Sequence, residues 1–150
     1  MRKIMNNLFL GDKKSAPKET QLRISCAQEI FKKYIKNSNL QVSFDAKNDI
    51  KYYNFEDFPI YEDIDIDLVD DALKTIENNI NNKVIYVHCV WGINRSPSIV
   101  FMYMVRNKLL NGNTYEECQS QFWKIYPYHR ANPGWQEFLI NQFPYNFKKN

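Results

Sequence analysis

The stretch Val84-Ile85-Tyr86-Val87-His88-Cys89-Val90-Trp91-Gly92-Ile93-Asn94-Arg95-Ser96-Pro97 decides how this chain is read. Residues 84–87 form a short apolar run with β-branched members, the pattern of a strand buried on both faces. Such a strand delivers Cys89 at its end. Five residues turn the chain, Arg95 follows, and a helix opens at Ser96-Pro97, where a proline in the first helical position needs no N–H partner. In a loop of this kind successive backbone N–H groups point inward. With the helix N-terminus they make a concave anion site. Gly92 permits the unusual dihedrals and the close backbone approach. Arg95 adds a planar fork able to hold two phosphate oxygens together. Helix dipole, loop N–H groups and guanidinium all favour a thiolate at Cys89, which makes it a nucleophile facing a bound phosphate.

Working outward, the pattern is one of strands and helices in layers. Ile4, Leu8, Phe9 and Leu10 before Gly11-Asp12 predict a first strand ending in a turn. Residues 13–49 give no single pattern: 22–27 has strand character, and Ala27, Ile30, Phe31, Tyr34 and Ile35 fall at helical spacing. Residues 50–55 read as a strand, with Asp57-Phe58-Pro59 in the loop after it. Residues 67–80 read as an amphipathic helix with Val69, Ala72, Leu73, Ile76 and Ile80 on one face. Residues 99–105 are apolar almost all round, so the helix after Arg95 is central, and Gly112 is its expected end. Thr114-Tyr115-Glu116-Glu117 has capping-box spacing for another helix. Asn132-Pro133 starts a last one, with Trp135, Phe138 and Leu139 inward. Strands alternating with helices and then a run of helices indicate an α/β fold.

The 150 residues suit one domain over 1–150, and a hydrophobic fraction of 44% with 25% charged residues excludes a disordered or fibrous chain. No apolar run approaches the ~20 residues of a membrane span. The first residues carry no secretory or lipidation pattern, so no membrane partner is expected. Three cysteines without metal-ligand spacing describe neither a disulfide framework nor a metal site. They fit a reducing compartment, the cytoplasm or the nucleus, with Cys26 and Cys118 as small buried hydrophobes. The net charge of +3 is lopsided: residues 45–77 carry −8, leaving +11 elsewhere. The acidic stretch reads as a solvated face and disfavours a nucleic acid lying across it.

His88-Cys89, five residues and then Arg95-Ser96 resemble the signature of the cysteine-dependent protein phosphatases. The compact length, Leu8-Phe9-Leu10-Gly11, and Arg130-Ala131-Asn132-Pro133-Gly134-Trp135 are similar to the small dual-specificity phosphatases. Gly92-Ile93-Asn94-Arg95-Ser96 is similar to their vaccinia-type members. The resemblance implies a phosphotyrosine-phosphatase-like α/β fold, with a mostly parallel sheet of about four to five strands flanked by helices. It implies that Cys89 attacks phosphorus, and that the backbone of Val90, Trp91, Gly92, Ile93, Asn94 and Arg95 holds the phosphate oxygens together with the Arg95 side chain. Ser96 would hydrogen-bond the leaving sulfur, and His88 would brace the loop. Asn132 resembles a structural Asn near the loop, with a plain helix N-cap as its other reading. Trp91 replaces the small residue of many relatives; its ring either packs beneath the loop or lines the pocket mouth. Family members place a general acid about 30 residues before the cysteine. Asp57 closes a strand-and-loop pattern and is the first choice; Asp63 is the second, and another acid stays open.

The implied activity is hydrolysis of phosphotyrosine and phosphoserine or phosphothreonine in phosphoprotein substrates, with no cofactor and no metal. The long tyrosine-only relatives carry an Asn-Arg-Tyr loop that has no counterpart here. An RNA 5′-triphosphatase usually has Thr where Ser96 stands. A phosphoinositide phosphatase puts Lys in the loop, whereas Val90, Trp91, Ile93 and Asn94 are uncharged. A non-catalytic phosphate-binding adaptor tends to lose the Cys or the Arg, and both remain here. The sequence does not fix the oligomeric state.

Overall fold

The run before Cys89 is the middle of a sheet in the computed structural model, which describes residues 1–37 and 39–147. In chain order the elements are β1 (Arg2–Met5), β2 (Leu8–Gly11), β3 (Leu22–Ser25), α1 (Gln28–Tyr34), β4 (Val42–Asp45), β5 (Ile50–Tyr53), α2 (Ile66–Asn79), β6 (Ile85–His88), α3 (Arg95–Arg106), α4 (Tyr115–Ile125) and α5 (Pro133–Asn141). A 3-10 turn over Tyr61–Asp63 precedes α2. The sheet order is β1-β2-β6-β3-β5-β4. β2, β6, β3 and β5 run parallel, and β1 and β4 close the edges antiparallel.

The sheet has six strands, more than the expected four to five, for two reasons. The first apolar run is a hairpin rather than one strand: Asn7 sits at φ 68° between β1 and β2, a left-handed conformation that Asn tolerates. β4 lies in the segment whose pattern was ambiguous, and its four residues are too short to display a period.

Register decides what each face carries. Leu8, Ile85 and Leu22 stand side by side, as do Leu10, Val87 and Ile24. All are buried, and α3 packs on β2 and β6. The opposite face presents Phe9, Tyr86, Arg23 and Ile50 in one row and Gly11, His88, Ser25 and Tyr52 in the next. There the short α1 packs on β5, with Phe31 its one buried residue.

α3 is buried from Arg95 to Val105, and each enclosed Ile, Val, Phe or Met contributes roughly 1.5–3 kcal/mol of burial. The helix starts before Ser96-Pro97, at Arg95, so Pro97 is its third residue. First-turn N–H groups lack helical partners, so the ring costs nothing there. It ends at Arg106 and not at Gly112, because Lys108 already turns left-handed at φ 58°. Thr114 caps α4 as expected, accepting from the Glu117 N–H while Glu117 accepts from the Thr114 hydroxyl.

The acidic stretch is less solvated than its composition suggests. Asp70 and Glu77 of α2 hold Arg106 at 2.6 and 2.9 Å. Asp71 pairs with Lys51 at 3.0 Å and accepts from the Tyr53 hydroxyl. These carboxylates tie α2 to α3 and to β5.

Candidate active site

β6 carries His88 to its end, Cys89 follows, and α3 begins at Arg95. The carbonyls along this turn are tied to other groups. His88 O accepts from Cys26 N–H at 2.8 Å, Val90 O from Lys13 N–H at 3.2 Å and Ile93 O from Arg130 N–H at 2.8 Å. Gly92 O accepts from the Tyr126 hydroxyl at 2.6 Å, Asn94 O from the Ser98 hydroxyl at 2.6 Å, and Cys89 O bonds His88 Nδ1 at 3.0 Å. The N–H groups of Trp91 to Arg95 make no backbone hydrogen bond among the described residues. A turn whose carbonyls are held from outside leaves its N–H groups for an anion. Gly92 adopts φ +72°, and a Cβ there would meet Gly11 backbone at 2.7 Å. Both its conformation and its neighbour exclude a side chain.

Cys89 and Ser96 are buried side by side, with Sγ 3.2 Å from Oγ. The Arg95 guanidinium is 1% exposed at residue level. It donates to both Glu29 carboxylate oxygens at 2.6 and 2.9 Å and to Phe55 O at 2.9 Å. Of the five N–H donors of an arginine, these bonds engage the Nη1 pair and one Nη2 hydrogen. Nε and the second Nη2 hydrogen remain as one free edge of the fork. Asp57 Oδ1 lies 3.3 Å from Nε, close enough for charge attraction but out of hydrogen-bond alignment, so Nε keeps its donor unpartnered. Burial works against the Arg95 charge, and Glu29, Cys89 and Asp57 outweigh it, holding the guanidinium above its ordinary pKa. The Arg95 bond in turn holds the Glu29 carboxyl below the usual range, against burial.

Asp57 is held by two asparagines. Asn94 Nδ2 donates to its carbonyl at 2.8 Å and to its Oδ1 at 2.9 Å. Asn132 Nδ2 donates to the same carbonyl at 2.7 Å, and Asn132 N–H donates to Asn94 Oδ1 at 2.8 Å. Asn132 precedes α5 but makes no side-chain cap, so the plain N-cap reading fails. Next to it, Trp135 Nε1 donates to Glu56 O at 2.8 Å. A Cβ on Gly134 would stand 2.0 Å from Pro59 O, so only glycine lets α5 approach the loop this closely. Asp63 lies instead in the exposed 3-10 turn, along a cleft with Gln41 and Trp135.

His88 is buried and stacks on Tyr86. Burial lowers its pKa, so it braces the loop as a neutral ring. Trp91 is 75% exposed and thus does not pack beneath the loop. Ile93 of the same loop and Phe58, next to Asp57 in the chain, are exposed as well. A further support is His129, buried under the loop: Ser98 Oγ donates to Asn94 O, so His129 Nε2–H donates to Ser98 and Nδ1 accepts from Gln119.

The structure therefore brings Cys89, Arg95, Ser96, Asn94, Asn132 and Asp57 together and leaves Asp63 outside. Sequence reasoning gave no role to Glu29, Tyr126 or His129. The one available signal for Glu29 was a carboxylate in the first turn of a short helix, which by itself says nothing of an arginine 66 positions away.

No protein-family model and no curated protein matches the sequence. Solved structures do. The human tyrosine phosphatase-like serine/threonine/tyrosine-interacting protein is similar at a TM-score of 0.67 and 21% identity, over 93% of this chain and 92% of that one. DUSP15 is similar at a TM-score of 0.67 and 18% identity, over 95% and 86%. PTPMT1, solved in complex with PI(5)P, is similar at 0.63 and 15%, over 93% and 91%. At such identities the likeness is one of fold. A mixed sheet with a parallel centre, a loop from Cys89 to Arg95 at the C-terminal end of its central strand β6 and these neighbours agree: the chain has the fold of the cysteine-dependent phosphatases, in the compact form of the dual-specificity members.

Proposed function

We propose that the protein is a phosphatase that hydrolyses phosphotyrosine and phosphoserine or phosphothreonine in phosphoproteins through a phosphocysteine intermediate. The observation that carries this reading is the Arg95 fork: Glu29 and Phe55 fix the guanidinium while its Nε edge stays free beside Cys89 and Asp57. The loop N–H groups and that edge hold the phosphate oxygens. Cys89 Sγ forms a bond to phosphorus as the bond to the leaving oxygen breaks, and Asp57 gives that oxygen its proton. In the second step water attacks phosphorus, Asp57 takes its proton, and the sulfur leaves with Ser96 Oγ hydrogen-bonded to it. Inorganic phosphate is released. Asp57 is the acid in this reading because it alone of the two candidates lies against Asn94 and Arg95.

The rival is a phosphate-binding adaptor without turnover. The clustering of nucleophile, fork, hydroxyl and carboxylate supports an enzyme. Release of phosphate from para-nitrophenyl phosphate tests it, with Cys89→Ser as the control. Turnover by the wild type and none by the variant is expected; a variant retaining about a tenth of the activity sinks the phosphocysteine step. A panel of phosphotyrosine peptide, phosphothreonine peptide, triphosphate-ended RNA and phosphoinositide then assigns the substrate.

A further inference from the structure

The loop itself brings no lysine to a phosphate, yet cations converge next to it. A cavity of about 490 Å³ opens on the sheet face that α1 covers, within the range of small-ligand sites. Lys13, Lys14, Arg23 and Lys33 line it, with His88 and Val90 on the side of the loop. Its single lining carboxylate, Glu29, is paired with Arg95, so the lining carries an excess of cations. None of the four cations forms an ion pair among the described residues. Arg23 is the telling one. It stands in β3 between Tyr86 and Ile50, half-buried in the middle of a sheet face. A cation in that place is normally matched by a carboxylate. Here its field falls on His88, adding to the burial that keeps the ring neutral.

We propose that this pocket is a second phosphate-group site, separate from the Cys89 loop and coupled to it through Glu29. Neither Cys89 nor Arg95 lines the pocket. Contact between the sites runs through two shared walls: Val90, whose carbonyl is held by Lys13 N–H, and Glu29, whose carboxylate grips the catalytic fork. The ligand is a doubly charged phosphate group, matched by lysine ammonium groups and the Arg23 guanidinium. It comes either as a second phosphate on the substrate or as a free anion. The coupling rests on the phosphatase reading; the site does not.

The test uses the full chain carrying Cys89→Ser, labelled with nitrogen-15 and titrated with inorganic phosphate. Two groups of amides should shift with separate affinities, one in residues 90–96 and one around Lys14, Arg23 and Lys33. Lys14→Gln with Lys33→Gln, both on exposed side chains, should weaken the second group at least about tenfold and leave the first. Arg23→Gln should do the same. Absence of the second group, or its persistence in these variants, overturns the proposal. With the active enzyme, kcat/KM is compared for peptides and inositol phosphates bearing one or two phosphates. An advantage for two phosphates that vanishes in Lys14→Gln/Lys33→Gln, with para-nitrophenyl phosphate turnover unchanged, places the ligand on the substrate. No such advantage, with the second group of shifts present, makes it a free anion. A protein that shows the second group but never releases phosphate keeps this site and refutes only the phosphatase reading.

Discussion

Arg95 meets more partners than a point charge could serve. It engages both oxygens of Glu29 and the Phe55 carbonyl and still presents an edge beside Cys89. Lysine keeps the charge but has three donors on one atom and no plane. Arg95→Lys should therefore lower kcat/KM by about 10²-fold or more, since a misplacement of ~1 Å is enough for that; near-normal turnover would show that charge alone suffices. The proposed acid is tested by leaving group. Asp57→Asn should slow phenyl phosphate about 10²–10⁴-fold and para-nitrophenyl phosphate far less, while Asp63→Asn does neither. The reverse pattern would move the acid to the 3-10 turn. Cys89, Arg95 and Ser96 were legible in the sequence because one turn holds them all. Asn94, Asn132 and Asp57 meet across 37, 38 and 75 positions, and Glu29 reaches Arg95 across 66. No local pattern records such separations, so the reach of Asp57 was a family inference and Glu29 was missed.

At the level of elements, the approach of α5 to the loop after β5 sets where Asp57 sits. In an ordinary helix Gly→Ala gains about 1 kcal/mol of helix propensity. At Gly134 the added methyl meets a backbone carbonyl at 2.0 Å, which cannot rotate away. Overpacking of this kind costs ~1–3 kcal/mol, so the clash wins. Gly134→Ala should lower the urea midpoint and slow phenyl phosphate more than para-nitrophenyl phosphate, because the Asp57 loop is displaced while Cys89 is not. An unchanged midpoint would mean the loop yields without cost. The elements best read from sequence were those with long periods, α2 and the buried run of α3. The strands before Cys89 and before Asp57 were read in place, whereas the β1–β2 hairpin, β4 and the end of α3 were misread: a hairpin turned on Asn7 and a left-handed Lys108 were invisible to a rule that looks for glycine.

Over the whole molecule, the buried histidines set its response to acid. Burial takes His129 down to about 3 from an ordinary 6.5, and His88 moves the same way. A folded-state pKa below the unfolded one means the unfolded chain binds the proton more readily. The stability is complete above pH 6.5 and drains as pH falls from 6.5 toward about 3. His129 alone should cost ~2 kcal/mol by pH 5, before the carboxylates begin to titrate. Urea midpoints at pH 7, 6 and 5 should fall in the wild type and fall less steeply in His129→Gln; parallel slopes would remove His129 as the cause. The uneven charge was also visible in the sequence as a net figure, but only the folded arrangement turned it into a pocket around Arg23 on one sheet face and ion pairs around Arg106 between α2 and α3. The tethers on the loop carbonyls come from Lys13, Cys26, Ser98, Tyr126 and Arg130, and so from nearly the full span of the chain. A half-assembled chain with its strands paired would thus hold the Cys89 turn in the right order and the wrong shape. Under the proposed reaction turnover becomes an assay of completed folding, and a proteolytic nick just beyond α4, between Tyr126 and Arg130, should lower it while leaving the sheet intact.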